Sequence, residues 1–327
     1  MQLLDLYAAR SRMGHLIRET PLEFSQFLSD LCGGEGWLKL ENQQLNGSFK
    51  ARGALNKILQ LSDEERGRGI VTASSGNHAQ GVGYAARMLG INATIVVPEN
   101  TPNVKIEVIR RYGVELLVHG EEYMDAERLA REMEKEGGMT FVSAYNDLEV
   151  IAGQGTIGLE MMEAMPDLEA VLVPVGGGGL IAGVGCAVKA IDDAVEVIGV
   201  QSVASPVMYE SIKQGRIVEM ELEDSVAEAL HGGIEEGSVT FDMCQEYVDD
   251  FILVQEEAIV KAIATLLALQ HQIVEGAGAV GVAALMENPE RFRGRKTGVV
   301  ITGANIDEEL LRQVCRRFKS EYRGEER

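Results

Sequence analysis

The sequence predicts an α/β fold built as two open, twisted, parallel-sheet domains. Short β-rich runs alternate with helix-patterned stretches from about Gly69 onward, and glycines cluster where the strands end. The alternation also falls into two series, and strands that alternate with helices imply parallel pairing through right-handed crossovers.

In the first series GIVTAS reads as a strand, and NHAQGVGYAARML as a helix stopped by Gly90 in the left-handed region. NATIVVP is a strand ended by Pro98, VKIEVIRRY is a helix that stops before Gly113, and VELLVH is a strand. AERLAREMEKEGG is a helix with its own glycine stop, and MTFVSAY is a further strand, which completes a unit over residues 69–145. The second series reads IAGQGTIGLEMMEAM as helix, AVLVPV as strand, GLIAGVGCAVKAI as helix and VEVIGVQ as strand. VVITG near residue 300 is another strand, and a helix begins around Asp307. The methionines of EMMEAM read as core filler on an amphipathic helix rather than a recognition surface. Ligands of parallel sheets bind beyond the carboxyl ends of strands, which singles out the glycine-rich segments after Ser74, Val175 and Ile301.

Bulk properties narrow the class. A chain of 327 residues, 46% hydrophobic and 25% charged, has the composition of an ordinary globular protein and can bury a sizeable core. A formal net charge of −21 argues against nucleic acid, whose phosphates would be repelled. Cys32, Cys186, Cys244 and Cys315 lie far apart with no metal-type spacing, so reduced thiols are expected. The N-terminal stretch MQLLDLYAARSRMGHLIRETP carries charges where a signal peptide needs an apolar run, and no stretch reaches membrane-helix length. A cytoplasmic protein without a membrane partner is expected.

Four segments could carry chemistry. Gly176, Gly177, Gly178 and Gly179 follow an apolar strand and open a helix, where successive backbone N–H groups can converge on a phosphate. Gly177, Gly179 and Ala182 also satisfy a dinucleotide fingerprint, but the next strand ends at Gln201 rather than at the acid that would grip a ribose. Lys50 follows Gly47, Ser48 and Phe49 at a helix start. It reads either as a solvated surface lysine or, in a drier pocket, as an imine-forming amine. Ser74, Ser75, Gly76, Asn77 and His78 sit at a strand-to-helix junction and either cap the helix or receive a substrate carboxylate. Thr302-Gly303-Ala304-Asn305 reads singly as a turn, and Glu275 as an ordinary acid before a glycine-containing helix.

Taken together, NGSFKARGA, SSGNHAQG and PVGGGGLIAG resemble the fold-type II pyridoxal-phosphate enzymes of the threonine dehydratase and serine racemase group, from TPLEF at residue 20 to ITGANID at residue 301. The resemblance implies a tryptophan synthase β-like architecture. Residues 1–58 and 146–327 would form a large cofactor-binding domain, and 69–145 a small substrate-side domain. It implies pyridoxal 5′-phosphate as cofactor, with Lys50 as Schiff-base lysine, Phe49 against the ring and Asn77 at the ring hydroxyl. Gly176 through Gly179 would cradle the phosphate, and Thr302 would face the pyridine nitrogen, where serine is common in this group. Ser74, Ser75, Gly76, Asn77 and His78 would form the loop that takes the carboxylate of a small amino-acid substrate.

The activity implied is an ammonia-lyase acting on L-threonine or L-serine, in a homodimer. Ser75 matches the racemases, which use this serine as an acid/base opposite the lysine, so a serine or threonine racemase is the alternative. A non-catalytic amino-acid-binding module would lack reason to combine the lysine, carboxylate loop and phosphate loop. No divalent metal is expected, because GVQSVASPVMY offers Gln201 and Val207 where serine racemase supplies acids. Nor is a C-terminal regulatory domain expected, since the chain ends soon after ITGANID, as in a catabolic or short-form enzyme.

Overall fold

The computed structural model describes residues 1–318. Among the described residues ten strands form two sheets: β1 (Leu22–Ser25), β2 (Glu35–Leu40), β3 (Ile70–Ala73), β4 (Ala93–Val97), β5 (Glu115–Val118), β6 (Thr140–Phe141), β7 (Ala170–Pro174), β8 (Glu196–Ser202), β9 (Asp250–Val254) and β10 (Lys296–Ile301). The larger sheet runs β1-β2-β10-β7-β8-β9 and the smaller β5-β4-β3-β6. Every pairing is parallel except β1 with β2. Only the short helix Gln26–Cys32 joins these two strands, less chain than a parallel crossover requires. This antiparallel edge departs from the all-parallel expectation.

Parallel strands are covered on both faces, so they read as continuous apolar runs whose alternate residues face opposite ways. On one face of the larger sheet, Leu172, Ile198 and Ile301 pack with Val280, Ala283 and Ile263. On the other, Val171, Val173 and Val300 pack with Ile181, Val184 and Met161. Met161 and Met162 are buried, as expected of core filler. The smaller sheet has its own apolar layers, including Val71, Val96 and Ala126 on one side and Ile95 and Ile109 on the other. MTFVSAY supplies only the two-residue β6; the Val142 N–H still donates to Val71 at 2.9 Å, and residues 143–145 then leave the sheet. Among the described residues no helix is long and apolar enough to cross a membrane.

Candidate active site

The carboxyl ends of β3, β7 and β10 lead into the segments beginning at Ser74, Val175 and Thr302. The Lys50 segment is zipped onto the last of these by backbone. The Phe49 N–H donates to the Thr302 carbonyl at 3.1 Å, and the Ala304 N–H to Gly47 at 2.8 Å. Ser48 and Gly303 form an isolated bridge. These contacts place Lys50, the first residue of the helix Lys50–Leu59, on the wall of a cavity of about 620 Å³.

Phe49, Asn77, Thr302 and all four glycines 176–179 line the same cavity. Lys50 Nζ donates to the Ala144 carbonyl at 2.7 Å and lies 5.1 Å from the Phe49 ring centroid. Burial disfavours its charged form and Glu275 only partly compensates, so its pKa falls to about 8. An amine so placed is largely protonated at pH 7 but sheds its proton far more readily than a surface lysine.

The glycine turn is shaped for an anion. Gly178 has φ +87°, the left-handed region, and the helix Gly179–Ile191 starts directly after it. No backbone carbonyl among the described residues accepts from the N–H groups of residues 176–179. Donors left free at the positive end of a helix are an anion site.

The helix Asn77–Leu89 has no side-chain cap. Ser74 Oγ accepts instead from the Gly76 N–H at 3.2 Å, and Ser75 hydroxyl has no partner among the described residues. The simple capping reading of this segment therefore does not hold. Ser74, Ser75 and Gly76 are half-buried beside the cavity-lining Asn77 without themselves lining the cavity. His78 points elsewhere, with Nε2 2.9 Å from the Val142 carbonyl, which makes Nε2 the protonated nitrogen. Burial, with Lys50 nearby, pushes its pKa down to about 3, so it is neutral at physiological pH. It neither lines the cavity nor serves as a proton donor there.

Glu275 is the residue that sequence reasoning passed over. It is buried, lines the cavity, and accepts from Asn77 Nδ2 at 2.6 Å. Burial raises its pKa to about 7, against the Asn77 hydrogen bond and the charges of Lys105 and Lys50. Asn305 also belongs to the site, since its Nδ2 donates to Asn77 Oδ1 at 2.6 Å. Neither carries a local signal, because each finds its partner only in the folded chain. Among the described residues no cluster of three or more metal-ligating side chains occurs.

Comparison with known proteins agrees with this geometry. The family model described as "Pyridoxal-phosphate dependent enzyme" matches residues 14–303. The chain is 45% identical to the L-threonine ammonia-lyase of Thermotoga maritima, covering 95% of this chain and 77% of that protein. It is 39% identical to the catabolic L-threonine dehydratase of Escherichia coli, covering 95% and 94% of the two chains. The structure of maize serine racemase superposes with a TM-score of 0.91 at 31% identity, covering 98% of each chain.

Proposed function

This chain belongs to the pyridoxal-phosphate-dependent enzyme family, and from that premise we propose that it is an L-threonine or L-serine ammonia-lyase, converting the hydroxy-amino acid to a 2-oxo acid and ammonia. The observation that carries the reading is the easily deprotonated Lys50 amine in one cavity with an unengaged glycine turn. Identity is higher to the threonine ammonia-lyase, at 45%, than to the racemase, at 31%.

The residues present fit the cofactor. Thr302 Oγ1 is buried without a partner, a state that costs about 1–3 kcal/mol unless something in the cavity engages it. A pyridine nitrogen would do so. Gly176, Gly177, Gly178 and Gly179 would hold the phosphate by backbone N–H groups, Phe49 would flank the ring, and Asn77 would meet the ring oxygen. The cofactor, once bound, supplies the electron sink for charge developing at the substrate Cα. A neutral Thr302 hydroxyl would leave that sink weaker than a carboxylate would, which favours prompt loss of the β-hydroxyl.

The chain's own residues would then divide the work. The uncapped N-terminus of the helix Asn77–Leu89, with Ser74, Ser75 and Gly76, would take the substrate carboxylate. Lys50, freed of its covalent partner, would take the Cα proton, for which a pKa lowered by burial suits it. His78, tied to Val142, would shape this loop without touching substrate. The same proposal covers the large unit 1–58 with 146–327, the small unit 69–145, a homodimeric assembly and a cytoplasmic location.

A racemase reading is favoured by one observation, the unpartnered Ser75 hydroxyl, which could return a proton to the face opposite Lys50. One assay separates the two: L-threonine, L-serine and their D-enantiomers are added to holoenzyme, and 2-oxo acid and enantiomer are measured together. Rapid 2-oxo acid with little inversion is expected, and Lys50→Ala should abolish it. Dominant inversion would favour the racemase, and turnover retained in Lys50→Ala would remove the basis of both.

A further inference from the structure

Four segments of the site are joined by one relay of hydrogen bonds. Asn305 Nδ2 donates to the Asn46 carbonyl at 3.4 Å and to Asn77 Oδ1 at 2.6 Å, and Asn77 Nδ2 donates to Glu275 Oε1 at 2.6 Å. Both ends of the relay, a backbone carbonyl and an ionised carboxylate, can only accept. That leaves one consistent polarity. Turning the Asn77 amide over would set its oxygen against the carboxylate and its NH₂ against the Asn305 NH₂.

The fold makes room for this carboxylate. A Cβ on Gly303 would stand 2.2 Å from Glu275 Oε1, so residue 303 must lack a side chain for the relay to exist. The Glu275 N–H is in turn held by the Gly303 carbonyl at 3.0 Å. Asn77 spends one N–H on Glu275 and keeps the other for what occupies the cavity it lines.

We infer that Glu275 is a positioning residue: its carboxylate locks the Asn77 amide so that an N–H, not a carbonyl oxygen, meets the cofactor's ring oxygen. This rests on the reading of Asn77 given under the proposed function. The charged groups facing Glu275 are Lys50, Lys105 and Glu228; burial, helped by Glu228, outweighs the Asn77 hydrogen bond and the two lysines and keeps its pKa near 7. Acidification through that range neutralises the carboxyl, which can then donate as well as accept. The single polarity is lost. Glu275→Gln imitates this state at every pH, because a carboxamide also both donates and accepts.

The test reconstitutes apoprotein with pyridoxal 5′-phosphate at pH 8 and reads the absorption band of the bound cofactor and its Kd. Wild type, Glu275→Gln and Asn77→Ala are compared, with apoprotein unfolding midpoints alongside. Both variants should shift the band in the same direction and weaken binding by about tenfold, the scale of one hydrogen bond. Apo Glu275→Gln should unfold no earlier than wild type, because the carboxamide removes a charge that burial makes costly at this pH. On taking wild-type holoenzyme from pH 9 to pH 6 its band should move toward that of Glu275→Gln, a measurement that needs no variant to fold. The inference is overturned if Asn77→Ala shifts the band while Glu275→Gln leaves band and Kd unchanged, or if the wild-type band is constant from pH 6 to 9. If Asn77→Ala itself matches wild type, the reading of Asn77 fails, and the inference with it.

Discussion

At the scale of single residues, the site is a set of ordinary side chains put where water cannot fully solvate them. Lys50 carries the clearest consequence. Its pKa is about 8 in the folded protein against 10.5 for a free lysine. Between those values the unfolded chain holds a proton that the folded chain has released. Raising the pH through this window therefore favours the folded state, and below it the buried charge costs stability. Apo Lys50→Met, which lacks the group, should exceed the wild type by about 3 kcal/mol at pH 7, and the gap should close toward pH 10.5. Taking the difference between the two proteins removes the opposing effect of Cys244, whose thiol burial pushes up to about 12. Urea melts at pH 7, 9 and 10.5 measure it, and a gap that ignores pH refutes the assignment of a strained amine. Lys50 and the glycine turn, which share one cavity, were legible in the sequence because each is a contiguous run with its own chemistry, whereas the serine loop flanks that cavity without lining it. Glu275 and Asn305 were not legible, because Asn77 lies 198 and 228 residues from them along the chain.

At the scale of elements, the helix Lys50–Leu59 is held from its far side. Two residues beyond Lys50 is roughly 200° around a helix, so Arg52 points into the core while Lys50 faces the cavity. Arg52 meets Glu41 at 2.8 Å and Glu160 at 2.5 Å, and Lys39 meets Glu160 at 2.5 Å. Burial alone would raise the Glu41 pKa, but the adjacent Arg52 guanidinium and Lys39 hold it below the usual carboxylate range. A knot of two cations and two anions is neutral as a whole, and each charge depends on the others for its solvation. Arg52→Met strands two carboxylates beside one lysine and should cost about 3–5 kcal/mol, read from denaturant midpoints. Neutralising the exposed Arg110–Glu107 pair should cost less than about 1 kcal/mol. Equal losses would show that burial does not govern the knot. The same knot explains which strands the sequence concealed. β7 and β10 stood out as apolar runs, whereas β2, GWLKL after Glu35, hides a buried lysine that Glu160 on a distant helix and the Thr20 carbonyl make tolerable. β1 and β9 lie at the sheet edges, where exposed Glu23 and Asp250 blur the pattern.

At the scale of the whole molecule, the cavity lies between the two sheets and is covered by residues 219–237. Of that stretch only Ala227 and Ile234 are buried. It reaches the smaller sheet's side through Lys105 to Glu228 at 2.8 Å, and meets the segment after β6 through Asn146 Nδ2 to Glu235 at 2.9 Å. The Glu235 N–H also donates to the Tyr145 hydroxyl at 3.0 Å. An exposed ion pair contributes about 0–1 kcal/mol and a neutral hydrogen bond about 1 kcal/mol, so the cover can lift for far less than global unfolding requires. The stretch has no strand ladder of its own; it has turn-type bonds such as Leu230 N–H to Ala227 and His231 N–H to Glu228, and isolated anchors such as Glu223 N–H to Ala204 at 3.0 Å and Val226 N–H to Glu256 at 2.7 Å. Backbone amides of 219–237 should therefore exchange with deuterium at least about 100-fold faster than those of β7 and β10, whose bonds open only with the core. The expected cause is local opening, so exchange in 219–237 should barely respond to a mild urea concentration that accelerates exchange in β7 and β10. Protection of 219–237 equal to that of β7 would mean that the cover is part of the core, and that a substrate must enter by another route.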